Sequence, residues 1–330
     1  MKHKISGTLY GMTIGDAMGM PSELWPRKKV KEFFGTITEF LDGPAENEVA
    51  CNFTKGQYTD DSSQALLILD ALIRNNFVPD NHLIAQALLD WAHKLNAFEN
   101  NILGPSSKAA LLAIQAGQDA SPFTSKAETN GAAMRIAPIG CLFSRDRKQE
   151  LVRFVYEVSK VTHATDVAVS GAAMIAMAVS SAIEDQDWDT IMADAMEAYE
   201  LALPYGAETY SANLAARLEV ALDYAKQYEH DEEQFSQKIY DVIGSGVITS
   251  ESIPAALAIA YYAKDPHRCS LLCANLGGDT DTIGAMATAI CGAKVGVEAI
   301  DPEWIQMIDT HNPVRLDDYA EQLLAHRNKC

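Results

Sequence analysis

Two short segments, Thr59-Asp60-Asp61-Ser62 and Asp279-Thr280-Asp281-Thr282, concentrate carboxylates and hydroxyls just ahead of helix-forming runs. A donor set made only of oxygen suits a hard divalent cation such as Mg²⁺ or Mn²⁺. If the two segments meet in space, they form a binuclear site. The competing interpretation is helix capping, since Ser, Thr and Asp side chains accept from unpaired backbone N–H groups and their charge suits the helix dipole. Capping explains one carboxylate in each segment and leaves the second repelled by its neighbour. Ahead of the second segment, Gly277-Gly278 permits a tight backbone path that aims Asp279 and Asp281 inward.

Other metal and phosphoryl motifs fit poorly. An EF-hand loop starting at Asp279 has Gly284 at its sixth position but Ile290 at its twelfth, where a bidentate Glu is required. A phosphoryl-transfer aspartate needs a buried strand before it, whereas Cys273-Ala274-Asn275-Leu276 follows a helical stretch. Cys269 and Cys273 can share a helix face, but zinc needs two more ligands. The six cysteines, Cys51, Cys141, Cys269, Cys273, Cys291 and Cys330, lack CxxC spacing and sit mostly in apolar runs, which predicts reduced, buried thiols.

The elements that must position these groups are helical. In Leu83 to Trp91, apolar positions 83, 84, 87, 88 and 91 follow an amphipathic stripe. Similar patterns predict helices over Ser63 to Asn75, Lys108 to Gln115, Leu151 to Ser159, Val167 to Ile183, Thr190 to Leu201, Ala212 to Gln227, Pro254 to Ala263 and Thr282 to Lys294. Strand-like alternation is scarce. The length accommodates roughly ten or more helices, an all-α fold with many packed helices. None of the Gly- and Pro-rich connections, such as Gly43-Pro44 or Gly244 to Gly246, is long enough for an interdomain linker, so residues 1–330 read as a single compact domain. The chain must then bring residues near 60 and near 280 together across the whole fold.

Composition narrows the function class. With 48% hydrophobic residues, 22% charged residues and a formal net charge of -19, the chain reads as a soluble globular protein that repels nucleic acid and anionic membranes. Val167 to Ile183 is Ala-rich and too short to span a bilayer comfortably, so a buried helix is expected and no membrane partner. Met1-Lys2-His3-Lys4 mimics a signal-peptide start, but Gly15, Asp16 and the missing apolar run argue against export. The expected location is the cytoplasm.

Five motifs, in order, resemble the ADP-ribosylglycohydrolase family: Gly11 through Glu23, Tyr58-Thr59-Asp60-Asp61-Ser62, Thr129-Asn130-Gly131-Ala132-Ala133-Met134-Arg135-Ile136-Ala137-Pro138, Thr162-His163, and Gly277 through Ala285. The resemblance runs from Ile5 to about Gly296. It implies an all-α fold with a cleft holding two Mg²⁺ or Mn²⁺ ions, and hydrolysis of the glycosidic bond joining ADP-ribose to an acceptor. It makes Thr59, Asp60, Asp61, Asp279, Asp281 and Thr282 the metal ligands, with Asp281 bridging, and Glu23 the loop carboxylate that reaches the metals or the reacting water. Ser62 stands where the family commonly has Thr, which retains the hydroxyl.

Substrate would be an ADP-ribose-containing small molecule or an ADP-ribosylated protein. Asn130, Gly131 and Ala132, with Met134 following, offer small side chains and backbone N–H groups as an anion cradle. Gly104 to Ser106 and Glu251 to Pro254 read as further lining of the cleft. A lone histidine is ordinarily a satisfied buried one, but the resemblance implies that His163 contacts substrate. Arg135 assists the anion or pairs internally. Tyr58 and Tyr210 stack on adenine or fill core. Glu128 is a candidate for an extra acid that some family members carry before Asn130. The acceptor stays open among arginine, serine, a nucleic-acid end and a free metabolite. Two alternatives stand beside this reading: a nucleoside or small ribosyl-metabolite hydrolase, and a catalytically idle ligand-binding or structural relative.

Overall fold

Helix Lys2–Gly19 (α1) is buried on every side from Lys4 onward, so no amphipathic stripe announces it. In the computed structural model, which describes residues 1–99 and 102–329, α1 lies against Thr280–Val295 (α6) with backbone-to-backbone contact. Gly7, Gly11, Gly15 and Gly19 recur every four residues on one face of α1. A Cβ on Gly15 would lie 2.0 Å from the Gly284 carbonyl oxygen, and one on Gly19 would lie 2.3 Å from that of Thr280. Only glycine allows this approach. The pairing brings the first and last thirds of the chain together.

Four more helices bear on the site: Asp60–Arg74 (α2), Pro105–Gln115 (α3), Asp166–Ile183 (α4) and Thr249–Ala263 (α5). Among the described residues the chain forms seventeen α-helices, with only isolated β-bridges in place of a sheet. Their buried apolar side chains form one core cluster running from Ile5 to Leu323. Each predicted helix is present with its ends moved by a few residues. The largest shift is at α5, expected from Pro254 but starting at Thr249. Pro254 lacks the N–H that would bond to the Ser250 carbonyl, and Arg217 Nη1 donates to that oxygen instead at 2.8 Å.

The Leu83–Trp91 stripe is displaced. Ile84, Ala85, Leu88, Leu89 and Ala92 are buried, whereas Leu83 is exposed. The start of this helix (Asn81–Lys94) is fixed by the cap at Asp80, which accepts from His82 and Leu83. Helix α4 has a mean hydropathy of 1.7 over 18 residues and is 94% buried, so its apolar surface is spent on neighbouring helices. Cys141, Cys269, Cys273 and Cys291 are buried free thiols, as expected; Cys51 is exposed, and Cys330 lies outside the described residues.

Candidate metal centre and its cleft

The two acidic segments begin α2 and α6, and in neither does the N-cap side chain cap its helix. Thr59 and Asp279 stand at the N-cap positions without a side-chain hydrogen bond to the first turn. Elsewhere, Asp80, Asp187, Asp265 and Asp301 cap their helices in the ordinary way. Capping therefore fails as an account of the carboxylates at 60, 61 and 279, and Asp281 gives only Oδ1 to the first turn, accepting from Thr282 N–H at 2.9 Å.

Three backbone segments aim these groups at one another. Gly277 and Gly278 adopt φ of +85° and +88°, conformations that glycine reaches without strain. Gly278 donates to the Trp25 carbonyl at 2.8 Å and accepts from Leu24 N–H at 2.7 Å, which ties the Glu23 loop to the turn before Asp279. Asp279 N–H donates to the Ser245 carbonyl at 2.7 Å. As a result, carboxylate oxygens of Glu23, Asp279 and Asp281 all lie within 4.8 Å of one another. Among the described residues no other group of three acidic, His or Cys ligands is drawn so close, the Cys269 and Cys273 pair included.

Asp16 organises the floor and was given no role from sequence. It is completely buried on α1 and accepts four hydrogen bonds: Thr59 N at 2.9 Å, Thr59 Oγ1 at 2.8 Å, Ser62 N at 3.0 Å and Ser62 Oγ at 2.6 Å. The signal available in the sequence was an aspartate set between glycines four apart. Thr59 Oγ1 also lies 3.3 Å from both Asp61 Oδ2 and Asp281 Oδ2. Asn130 Nδ2 donates to Asp279 Oδ2 at 2.5 Å and to Ser252 Oγ at 3.0 Å, so its side chain braces an acid.

The electrostatics are those of an unneutralised acid cluster. Burial, then the charge of Asp16, pushes Asp60 up to about 8. Burial pushes Asp279 up to about 6, although the hydrogen bonds from Asn130 and Thr282 favour its ionised form. Glu23 is raised well above the usual range by burial and then by Asp279; Asp61 is raised by burial and then by Asp16, and Asp281 by burial and then by Glu23. Asp61 Oδ1 is buried and has no hydrogen-bond partner among the described residues. An orphaned carboxylate oxygen among mutually repelling acids fits a hard divalent cation with oxygen ligands.

A cleft of about 330 Å³ opens above the acids. Glu23, Asp60, Asp61, Asp279, Asp281 and Thr282 line it, while Thr59 is buried beneath them. Of the predicted substrate residues, Gly104, Asn130, Gly131 and Met134 reach the cleft. Ala132, Ser106 and His163 do not: Ala132 and His163 are buried, and Ser106 stands behind Thr129, with Ser107 facing the cleft instead. The Asn130 N–H is spent on the Val247 carbonyl at 2.9 Å, which removes one donor from the expected anion cradle.

Arg135 pairs internally with Gln64 and Thr162. Glu251 turns away from the cleft and accepts from Gly246 N–H at 2.9 Å, supporting the loop that carries Val247. Tyr58 is core, Tyr210 is almost wholly in solvent, and neither Tyr210 nor Glu128 lines the cleft. The sequence reading missed an aliphatic wall of Leu24, Val49, Ile102, Leu103 and Val247. These residues come from separate loops, which carry no periodic signal. Among the described residues the lining holds no cationic side chain.

The model of the ADP-ribosylglycohydrolase family matches residues 1–330. The uncharacterized protein YegU of Escherichia coli is 46% identical over 327 residues, covering 99% of this chain and 98% of its own. ADP-ribosylarginine hydrolase Tri1 of Pseudomonas putida is 26% identical over 318 residues, covering 92% of this chain and 74% of its own. ADP-ribosylhydrolase ARH3 of Danio rerio is 23% identical over 355 residues, covering 98% and 90%. A solved ADP-ribosylglycohydrolase-related protein complex has the same fold, with a TM-score of 0.71 and 21% identity over 99% of this chain and 98% of that one.

Proposed function

The chain belongs to the ADP-ribosylglycohydrolase family, and from that premise we propose that its acidic cleft binds two divalent cations, Mg²⁺ or Mn²⁺, and hydrolyses the bond between ADP-ribose and an acceptor. That the protein is a glycosidic-bond hydrolase follows from the family and the activities of its named members. The observation that carries the finer reading is the convergence of Glu23, Asp279 and Asp281 within 4.8 Å at the floor of the cleft. Thr59, Asp60, Asp61, Asp279, Asp281 and Thr282 would hold the ions. When bound, such ions supply positive charge for ribose hydroxyls and lower the pKa of a water.

The chain's own groups do the rest. Asp16 fixes the Thr59 and Ser62 backbone, so the acidic segment keeps its shape as charge is neutralised above it. Asn130 holds the Oδ2 oxygen of Asp279 in place. Glu23, clamped through Leu24 and Gly278, presents a carboxylate oxygen that accepts a proton from the attacking water. Carboxylates close to the anomeric carbon stabilise its oxocarbenium-like charge. The aliphatic wall excludes bulk water and packs on the base.

The similarity to Tri1, named an ADP-ribosylarginine hydrolase, supports arginine among the candidate acceptors. One observation favours a second substrate class: with no cation in the described lining, a pyrophosphate has only backbone and hydroxyl donors, and a simple riboside would need none. Turnover of an ADP-ribosylated arginine peptide against simple ribosides, with and without chelator, separates the two. Metal-dependent release of ADP-ribose is expected. Cleavage of ribosides alone would replace the first reading with the second, and chelator-insensitive cleavage would remove the ions from both.

A further inference from the structure

We infer that His163 is a positioning residue, held as its Nε2–H tautomer by Thr162, and that it uses this N–H to turn the proton of the Thr129 hydroxyl, at the cleft wall, back toward Ser106. The inference rests on the proposal above that this cleft takes the substrate. His163 is 1% exposed and contributes nothing to the lining, whereas Thr129 lines the cleft directly. The ring packs against the Asn130-Gly131 turn so tightly that a Cβ on Gly131 would lie 2.7 Å from Cε1.

The direction of the chain follows from counting protons. Arg135 is buried and can only donate; its Nη1 bonds to Gln64 Oε1 at 2.7 Å and its Nη2 to Thr162 Oγ1 at 2.6 Å. Thr162 Oγ1 lies 2.8 Å from His163 Nδ1, and His163 Nε2 lies 3.0 Å from Thr129 Oγ1. Thr129 Oγ1 donates to Ser106 Oγ at 2.9 Å. With Arg135 donating to it, the Thr162 hydroxyl must place its own proton, and among the described residues Nδ1 is the acceptor within reach. Nδ1 is therefore bare and Nε2 carries the ring proton.

The opposite tautomer would set Nδ1–H against Thr162 and leave a buried hydroxyl proton without an acceptor, which is costly. Burial, and then the neighbouring Arg135 charge, pushes His163 down to about 3, so the ring stays neutral.

Two consequences follow. The relay ends on Ser106 behind the cleft wall, so the Thr129 proton points away from the cleft and the Thr129 oxygen keeps a lone pair to accept from a ligand hydroxyl. At its other end Gln64 Nε2 donates to Asp60 Oδ2 at 3.0 Å, so Arg135 couples the acidic wall to the hydroxyl wall.

The test begins without substrate. In ¹⁵N spectra of histidine-labelled protein, with the His163 signals assigned by their loss in His163→Gln, Nε2 is expected to be protonated and Nδ1 bare. Thr162→Val is expected to mix the tautomers and Thr162→Ser to restore the wild-type pattern. A protonated Nδ1 in the wild type, or an unmixed tautomer in Thr162→Val, overturns the inference; if Thr162→Val does not fold, the wild-type and Thr162→Ser spectra still decide it.

In turnover of an ADP-ribosylated peptide, Thr129→Val and His163→Gln are expected to raise KM by up to about tenfold, with kcat held within about twofold, as befits one lost neutral hydrogen bond. A collapse of kcat at unchanged KM would make His163 part of the chemistry and refute positioning. A wild type that ignores the peptide would sink the proposed function and leave the tautomer result standing.

Discussion

Asp279 converts the cleft's electrostatics into a measurable pH dependence of ion binding. Its carboxyl is raised from 3.8 to about 6 in the folded protein, so between those values the folded state binds more protons than the unfolded one. In cation-free protein this contribution to stability is complete below pH 3.8, declines as pH rises, and is gone above pH 6. Roughly two pH units at about 1.4 kcal/mol each give about 3 kcal/mol. Asp60, raised to about 8, extends the decline toward pH 8. A divalent cation requires the ionised carboxylates and reverses the trend, and at a thousandfold excess over its dissociation constant it adds about 4 kcal/mol.

An unfolding entropy of about 2.1 cal/mol/K per residue makes 3 kcal/mol worth roughly 4 °C in Tm for a chain of this length. The assay is thermal unfolding with Mg²⁺ or Mn²⁺ against chelator, at pH 5 and pH 8. From pH 5 only about one unit of the Asp279 window remains, so its share of the ion-induced increment should be larger at pH 8 by roughly 2 °C, and Asp60 adds to this. Burial of neutral His163 works in the opposite sense, adding stability as pH rises toward 6.5, but it bonds to none of the ligand candidates and cancels in the difference. In Asp279→Asn the pH-dependent part of the increment should shrink by the Asp279 share and keep the share of Asp60. An increment equal at both pH values, or an undiminished slope in Asp279→Asn, would refute the reasoning.

Asp60→Ala and Asp281→Ala should each abolish turnover with far-UV circular dichroism unchanged, since each removes a candidate ligand and little core volume; substantial activity in both variants would contradict the ligand assignment. Asp16→Asn leaves one acceptor oxygen for the four donors of Thr59 and Ser62, so divalent-ion affinity by calorimetry should fall about 10- to 100-fold, and an unchanged affinity would show that Asp16 is only core. Gly15→Ala drives a methyl to within 2.0 Å of the Gly284 carbonyl and should cost about 3 kcal/mol or more in urea unfolding. Gly104→Ala, with open space around it, should stay within about 1 kcal/mol of wild type; equal costs for the two glycine variants would mean that the helix pair tolerates separation.

Long helices with a polar face were legible because burial of one side leaves a 3.6-residue period, as in Thr190 to Leu201 and Lys108 to Gln115. That same signal is silent for α1, which is buried all round, and it misplaced the buried face at Leu83, where the Asp80 cap sets the rotation. The acidic segments were legible as chemistry but not as geometry: in sequence, Asp61 and Asp279 are compatible with two unrelated helix caps. The aliphatic wall and the Arg135 to Ser106 relay were illegible for a different reason, since each joins residues from loops and helix ends whose proximity no local pattern encodes. One long-range signal was nonetheless present. Glycines at 7, 11, 15 and 19, and again at 284 and 292, keep a spacing of four or eight residues, which is the repeat of a helix face pressed against another backbone. Matching those two ladders pairs α1 with α6 and sets Asp16 on one helix beside Asp281 on the other. The convergence of distant carboxylates follows from the glycines, so the proposed ion site and the α1–α6 contact stand or fall together.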